Sequence, residues 1–157
     1  MVPEPGLPQD YYLRNFVSLL DLVVREHGHL LSADEVALSR TFRDLSTNAQ
    51  RLYVRLLSRR GPLFRADRLE YNEITCLQSA LLELTLAGLV RNGWNAPDAD
   101  IFNLYTRAEL LDAARRRGFA LSGTGRKPVV IETLIHLGLT ARRLLANEQV
   151  IRPLGEA

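Results

Sequence analysis

Nineteen of the twenty cations in this 157-residue chain are arginines, and their spacing is the first sign of chemistry. Arg51, Arg55 and Arg59 recur every four residues, so on a helix they form one stripe. Arg60, Arg65 and Arg68 follow, and with Asp67 they give residues 51–68 a net charge of +5. A second island, residues 107–127, holds Arg115, Arg116, Arg117, Arg126 and Lys127 and sums to +4. Residues 1–50 and 69–106 are acidic, at −3 and −4. Planar guanidinium forks match phosphate oxygens better than ammonium groups do. Two arginine islands in an otherwise acidic chain therefore suit a phosphate backbone, and these eleven residues are the candidate DNA contacts. Two blander readings stand beside this one. Arginine dominance also follows from a GC-rich genome, and the stripe also works as a solvated face paired with Asp44, Glu70 or Glu73.

Other reactive groups do not assemble into a recognisable site. His27-Gly28-His29 and Glu132-x-x-x-His136 lack the further ligands a metal needs. Glu70 and Glu73 read as a solvated helix start. Gly123-Thr124-Gly125-Arg126-Lys127 lacks the Gly-Lys-Ser/Thr order of a P-loop and follows no clear strand. Three histidines without a supporting motif make no Ser/His/Asp triad. A lone Cys76 excludes an intramolecular disulfide and a cysteine-rich zinc site, and its place on an apolar helix face predicts burial. No signal-peptide pattern opens the chain and no apolar run is long enough for a bilayer, so a cytoplasmic protein without a membrane partner is expected.

The elements that must position the arginines are mostly helical. Residues 1–10, with Pro3, Pro5 and Pro8, read as a loose arm. A first helix is predicted over 11–27, stopped at Gly28. Ser32-x-x-Glu35 is a capping box for a second helix, ending near Leu45. Ser46 caps the third, basic helix, which Gly61-Pro62 terminates. Leu63-Phe64-Arg65 reads as extended, 65–70 as a turn or edge strand, and 72–87 as a fourth, strongly apolar helix. Leu89-Val90-Arg91 predicts a strand turning into a hairpin at Asn92-Gly93. Trp94 is either a stacking residue at that tip or a plug beside it. This order fits a winged-helix-like domain over 11–94. The fourth helix has no cation, so the third helix and the 65–68 segment are the expected phosphate contacts.

A polar linker is predicted over 95–100 and a second unit over 101–145. Thr106-x-x-Glu109 caps one helix, which closes on Arg115-Arg116-Arg117-Gly118. After an extended link and a Ser122-Gly123-Thr124 turn, Pro128 opens another. Residues 146–157 read as a short polar tail.

Several of these segments carry a resemblance. Leu52-Tyr53-Val54-Arg55-Leu56, Ser58-Arg59-Arg60-Gly61-Pro62-Leu63-Phe64-Arg65 and Leu69-x-Tyr71-x-Glu73-Ile74 are similar to the N-terminal region of bacterial Fanconi-associated nucleases. Tyr11-Tyr12-Leu13-x-Asn15-Phe16 and Leu86-Ala87-Gly88-Leu89-Val90 also fit. The resemblance covers nearly all of this chain but only the first part of a typical member, whose C-terminal part is a VRR-NUC domain. It implies the same mainly α fold, a winged-helix-like domain followed by a small SAP-like helix–extended–helix unit. The 122–128 turn departs from the SAP pattern, because Gly125-Arg126 intervenes before Lys127 and Pro128 follows.

The resemblance further implies a metal-dependent, structure-specific nuclease of phosphodiesterase I type, which cleaves flaps in interstrand-crosslink repair. Mg or Mn is expected in its catalytic domain, held by carboxylates with a nearby Lys. The expected acidic-x-Lys unit is missing here: Gly125 stands two residues before Lys127, and Asp98 has no such partner downstream. No catalytic residue and no cofactor are therefore assigned to this chain. It is expected to be a DNA-binding front end for branched or flapped DNA, serving a VRR-NUC domain in the same or another chain. The alternative is a protein–protein interaction module that does not bind DNA.

Overall fold

The computed structural model describes residues 7–121, 125–146 and 149–154. Its helices are α1 (Tyr11–His27), α2 (Ala33–Asp44), α3 (Thr47–Leu57), α4 (Leu77–Leu86), α5 (Asp98–Asn103), α6 (Arg107–Arg116), α7 (Lys127–His136) and α8 (Ala141–Leu144). The strands are short: β1 (Phe64–Arg65), β2 (Val90–Asn92) and β3 (Val150–Pro153). The fold is mainly α, as the helical periodicities predicted. The chain divides into two compact units. The first comprises Met1–Arg60, Glu70–Val90 and Pro153–Ala157, and the second Gly61–Leu69 and Arg91–Arg152.

In the first unit α3 is the central helix, packed on α4 and α1. Ser46 caps it by accepting the Ala49 N–H, and Glu83 of α4 accepts from both the Ser46 N–H and hydroxyl at 2.7 and 2.6 Å. Ala49, Leu52, Tyr53, Val54 and Leu56 are buried, as are Leu81 and Leu84 of α4. Phe42 bridges to α1 through Phe16, with ring centroids 5.1 Å apart. The predicted Ser32–Glu35 capping box is present in both directions. Helix α3 stops at Leu57, where the Ser58 hydroxyl donates to Val54 O. Gly61 then takes a positive φ of 96°, a conformation glycine adopts without strain.

Several expectations fail at the entry to α4. The helix starts at Leu77 and not near Asn72. Glu73 is consequently not part of a solvated helix start; its side chain is only 7% exposed. Cys76, expected in the core, is exposed and occupies the N-cap position. The apolar run that suggested a longer helix is real, but Ile74 reaches the core from irregular backbone instead.

In the second unit α6 and α7 pair, and α5 packs on α7 and α8. Ile101, Phe102, Leu110, Ala114, Val130, Leu134 and Leu144 belong to one core, with Trp94 packed partly buried against it. The Thr106–Glu109 capping box is present in both directions. Helix α7 begins at Lys127, so Pro128 occupies its second position. Residues 122–124 lie outside the described residues, so the Ser-Gly-Thr turn is not described.

The strands stand in the order β1–β3–β2. Phe64 and Arg65 lie opposite Ile151 and Val150 in antiparallel register. The hairpin expected at Asn92-Gly93 does not form: β2 pairs with a strand some sixty residues later, and Gly93 N–H donates to Val150 O at 2.8 Å. Two other expectations give way here. The 95–100 segment is not wholly a linker, because Asp98 starts α5 and its carboxylate accepts the Ala141 N–H at 2.7 Å. The expected polar tail contains the middle strand, β3. Its Val150-Ile151 pair is too apolar to remain in water and is buried.

Candidate nucleic-acid interface

The eleven candidate cations fall into two physical classes. Arg51, Arg55 and Arg65 are held by acids or carbonyls of their own unit. The others, some of which also have partners, are exposed, apart from the half-buried Lys127.

In the first unit, Arg55 is fixed from three sides. Its Nε and one terminal nitrogen both meet Glu73 Oε1, at 2.8 Å each. The guanidinium lies 3.9 Å from the Tyr12 ring centroid and 5.5 Å from that of Tyr71. Tyr12 also donates its hydroxyl to Glu73 Oε1 at 2.7 Å. Partial burial pushes the Tyr12 phenol up to about 12, and the adjacent Glu73 carboxylate adds to the effect. Burial alone would raise the Glu73 carboxyl, but hydrogen bonds from Tyr12 and Arg55 outweigh it and hold the carboxyl low. Arg51 donates to the Glu73 carbonyl at 2.9 Å and lies 3.6 Å from Asp10. The stripe is therefore a paired surface at these two arginines, with Glu73 as the shared partner. Arg59 and Arg60 stand past the last turn of α3 and are exposed; Arg59 donates to the Tyr71 hydroxyl at 3.1 Å.

In the second unit, Arg65 is 8% exposed. It makes a bidentate pair with Asp67 at 3.1 and 2.7 Å and donates to Glu109 Oε1 at 2.9 Å. Its guanidinium also covers the Tyr105 ring at 4.1 Å. Burial by itself would lower the Arg65 pKa, but Asp67 and Glu109 reverse that and raise it. Arg68 is largely exposed and shares Glu109 Oε1 at 2.7 Å. Glu109 therefore does two jobs, capping α6 and closing this ion cluster. Partial burial opposes its ionisation, but the Thr106 N–H and the two arginines prevail and hold it at about 2.

Arg115, Arg116 and Arg117 line the exposed end of α6, where cations also favour the helix dipole. Arg115 and Arg116 lie 4.0 and 3.3 Å from Asp112. Arg126 is the exposed N-cap residue of α7. Lys127 donates to Asn103 O at 2.7 Å, and Arg107 donates to Gly125 O at 2.7 Å. These two bonds hold the start of α7 against the 103–107 corner. The sequence reading missed the partners Tyr12 and Glu109, whereas Glu73 was among the acids expected to pair with the stripe and does pair with Arg55. Glu109 was within reach, since its capping-box position places it at the first turn of α6.

The described residues form no catalytic arrangement. Among them, no group of three His, Cys, Asp or Glu side chains could hold a metal ion. The carboxylates that do converge are already neutralised by arginines. An apolar pocket of about 460 Å³, lined by Leu121, Val129, Val130 and Leu137 among others, has no charged group for a phosphate.

Residues 10–91 match the family model described as "FAN1, HTH domain". The chain belongs to the Fanconi-associated nuclease family. It is 34% identical over 145 residues to the Fanconi-associated nuclease 1 homolog of Pseudomonas aeruginosa, a match that covers 91% of this chain and 25% of that protein. It is 36% identical over 128 residues to the Arabidopsis thaliana homolog, covering 78% of this chain and 14% of the relative. In structure it is similar to paFAN1 bound to 5′-flap DNA carrying a 2-nucleotide flap and a gap. The TM-score is 0.80 at 30% identity, over 95% of this chain and 28% of that one. The chain thus spans less than a third of the length of these relatives. Residues 10–91 correspond to the family's HTH domain, and the likeness over nearly all of the chain agrees with the resemblance to the family's N-terminal region. No helix of the described residues is long and apolar enough to cross a membrane.

Proposed function

We propose that this chain grips the duplex arms of a flapped or branched DNA, so that a VRR-NUC nuclease domain in the same or another chain can cut. The observation that carries this reading is the likeness, over 95% of the chain, to a family member whose structure contains 5′-flap DNA. The exposed arginines give the likeness a physical basis. Arg59 and Arg60 beyond α3, Arg68, Arg115–Arg117 at the end of α6 and Arg126 at the start of α7 are the proposed phosphate contacts. Arg51, Arg55 and Arg65 act indirectly, by fixing the backbone that presents the others. The SAP-like unit is the α6–link–α7 segment, with the family's mode of duplex contact at its basic ends.

Binding of this kind selects geometry more than base sequence, because phosphate contacts position without reading bases. The nuclease step, of phosphodiesterase I type and dependent on Mg or Mn, belongs to the catalytic domain. Crosslink repair in the cytoplasm of a bacterium is the setting in which such a front end is useful.

Fluorescence anisotropy with a labelled 5′-flap DNA and a plain duplex, at several salt concentrations, tests the proposal. If about six phosphates are neutralised, log K falls against log salt with a slope of about −5. Arg60→Gln and Arg116→Gln each make that slope shallower by about 1. A flat salt response, or no binding at low salt, would replace this reading with the interaction-module alternative.

A further inference from the structure

The strand register brings together two arginines that belong to neither basic island. Gly93 N–H donates to Val150 O and Leu154 N–H donates to Leu89 O, both at 2.8 Å. In an antiparallel pair, these two bonds place Arg91 directly opposite Arg152. Such residues share one face of the sheet, with Cβ atoms about 4.5–5.5 Å apart. Both side chains are exposed, and among the described residues neither forms an ion pair.

Like charges directly opposite one another destabilise a strand pair. Arg91 is also the sole cation between Arg68 and Arg107, in a stretch that carries five acids. It pairs with none of the described ones and faces a second arginine instead. A Thr, Gln or Glu at either position would relieve the repulsion without disturbing the core, since neither side chain is buried. The arrangement makes sense when an anion sits between the two guanidinium groups. Two forks at this spacing suit the two non-bridging oxygens of one phosphodiester.

We propose that Arg91 and Arg152 form a shared seat for one phosphate of the DNA backbone. The seat lies on β2 and β3, whereas the other proposed contacts lie on helix ends and turns. Strands hold it more rigidly than a loop would, so it fixes where the backbone lies more than how strongly it is held. The inference rests on the DNA-binding reading above.

The test uses the 157-residue chain and a fluorescein-labelled 5′-flap DNA, with anisotropy followed against salt. Arg91→Gln/Arg152→Gln makes the slope of log K against log salt shallower by about 1. Either single change weakens binding nearly as much as both together, because one phosphate is shared. Arg40→Gln, which removes an exposed charge from α2, leaves the slope unchanged. Arg152→Glu sets opposite charges across the strands. It raises the melting temperature by about 1–4 °C while weakening binding further.

An unchanged slope in the double variant, with the parent chain still binding in a salt-dependent way, overturns the seat and leaves the DNA-binding reading intact. Fully additive single effects overturn the sharing of one phosphate. A lower melting temperature for Arg152→Glu shows that Arg152 supports the fold and also overturns the seat. Absence of salt-dependent binding by the parent chain overturns both the seat and the reading on which it rests.

Discussion

Glu109→Gln isolates one charge at the centre of the second unit. Glutamine keeps the capping-box geometry of α6, so the substitution removes the negative charge facing Arg65 and Arg68 and little else. The carboxyl is held at about 2 against an ordinary value of 4.5. At 1.36 kcal/mol per pH unit, that is an upper limit of about 3.4 kcal/mol. The Glu109 side chain keeps 28% of its surface in water, and screening reduces the expected cost to about 1.5 kcal/mol. For a chain of this size the melting temperature falls by about 3–6 °C at pH 7.

The pH dependence supplies the sharper test. A carboxyl lowered on folding contributes stability that is full above the unfolded value, 4.5, and is lost as pH falls toward about 2. The difference between parent and Glu109→Gln should therefore shrink to about 40% of its neutral value by pH 3. Urea unfolding followed by circular dichroism at pH 7 and pH 3 measures both gaps. Equal gaps at the two pH values would refute the charge argument, and no gap at pH 7 would show that Asp67 alone satisfies Arg65. Glu109→Ala removes the cap as well and should cost about 0.5–2 kcal/mol more.

Other perturbations test separate parts of the fold. Tyr12→Phe removes the hydroxyl that donates to Glu73 and should cost about 1 kcal/mol at pH 7. The phenol is raised on folding, so its contribution is present below pH 10 and lost as pH rises toward about 12; a parent chain showing no phenolate absorbance lag in that window would contradict it. Gly93→Ala places a Cβ 2.7 Å from Val150 Cγ1 and 2.8 Å from Leu63 Cδ2. It should lower stability by about 1–3 kcal/mol, read by urea midpoint. Cys76 is exposed, and its thiol is lowered by hydrogen bonding with Ser79. It should react with a maleimide in the folded chain at the rate of an unfolded cysteine or faster, and protection would contradict the helix start at Leu77.

Local signals in the sequence were the ones that transferred to the structure. The two capping boxes and the Ser46 cap depend on residues within one turn of each other, and each appears where its spacing put it; the stop expected at Gly61-Pro62 does not, because α3 already ends at Leu57. Long-range pairing left no such trace. Val90 and Val150 are sixty residues apart, and nothing local distinguishes a strand that turns back at Asn92-Gly93 from one that waits for β3. The 72–76 segment failed for a related reason. Ile74 looked like the first residue of a helical stripe, but Glu73 gains more from Arg55 and Tyr12 than from a place in a solvated first turn. That preference is set by side chains from two other helices.

The arginine islands show how far charge alone can be pushed. Counting cations gave two patches of similar strength, yet the cations within them differ in kind. Arg65 and Arg68, three residues apart, meet the same two acids, and what separates them is how closely they are held: Arg65 makes the bidentate pair with Asp67 and is 8% exposed, whereas Arg68 is 65% exposed. Arg55 and Arg60 are separated in the same way by Glu73. An acid that meets an arginine on the inner side of a unit converts it from a possible ligand contact into a brace. The converse holds for Arg91, which sits in the most acidic stretch of the chain and has no acid of the described residues against it. A cation left beside another cation is therefore the observation on which the proposed phosphate seat rests, rather than the length of an arginine run.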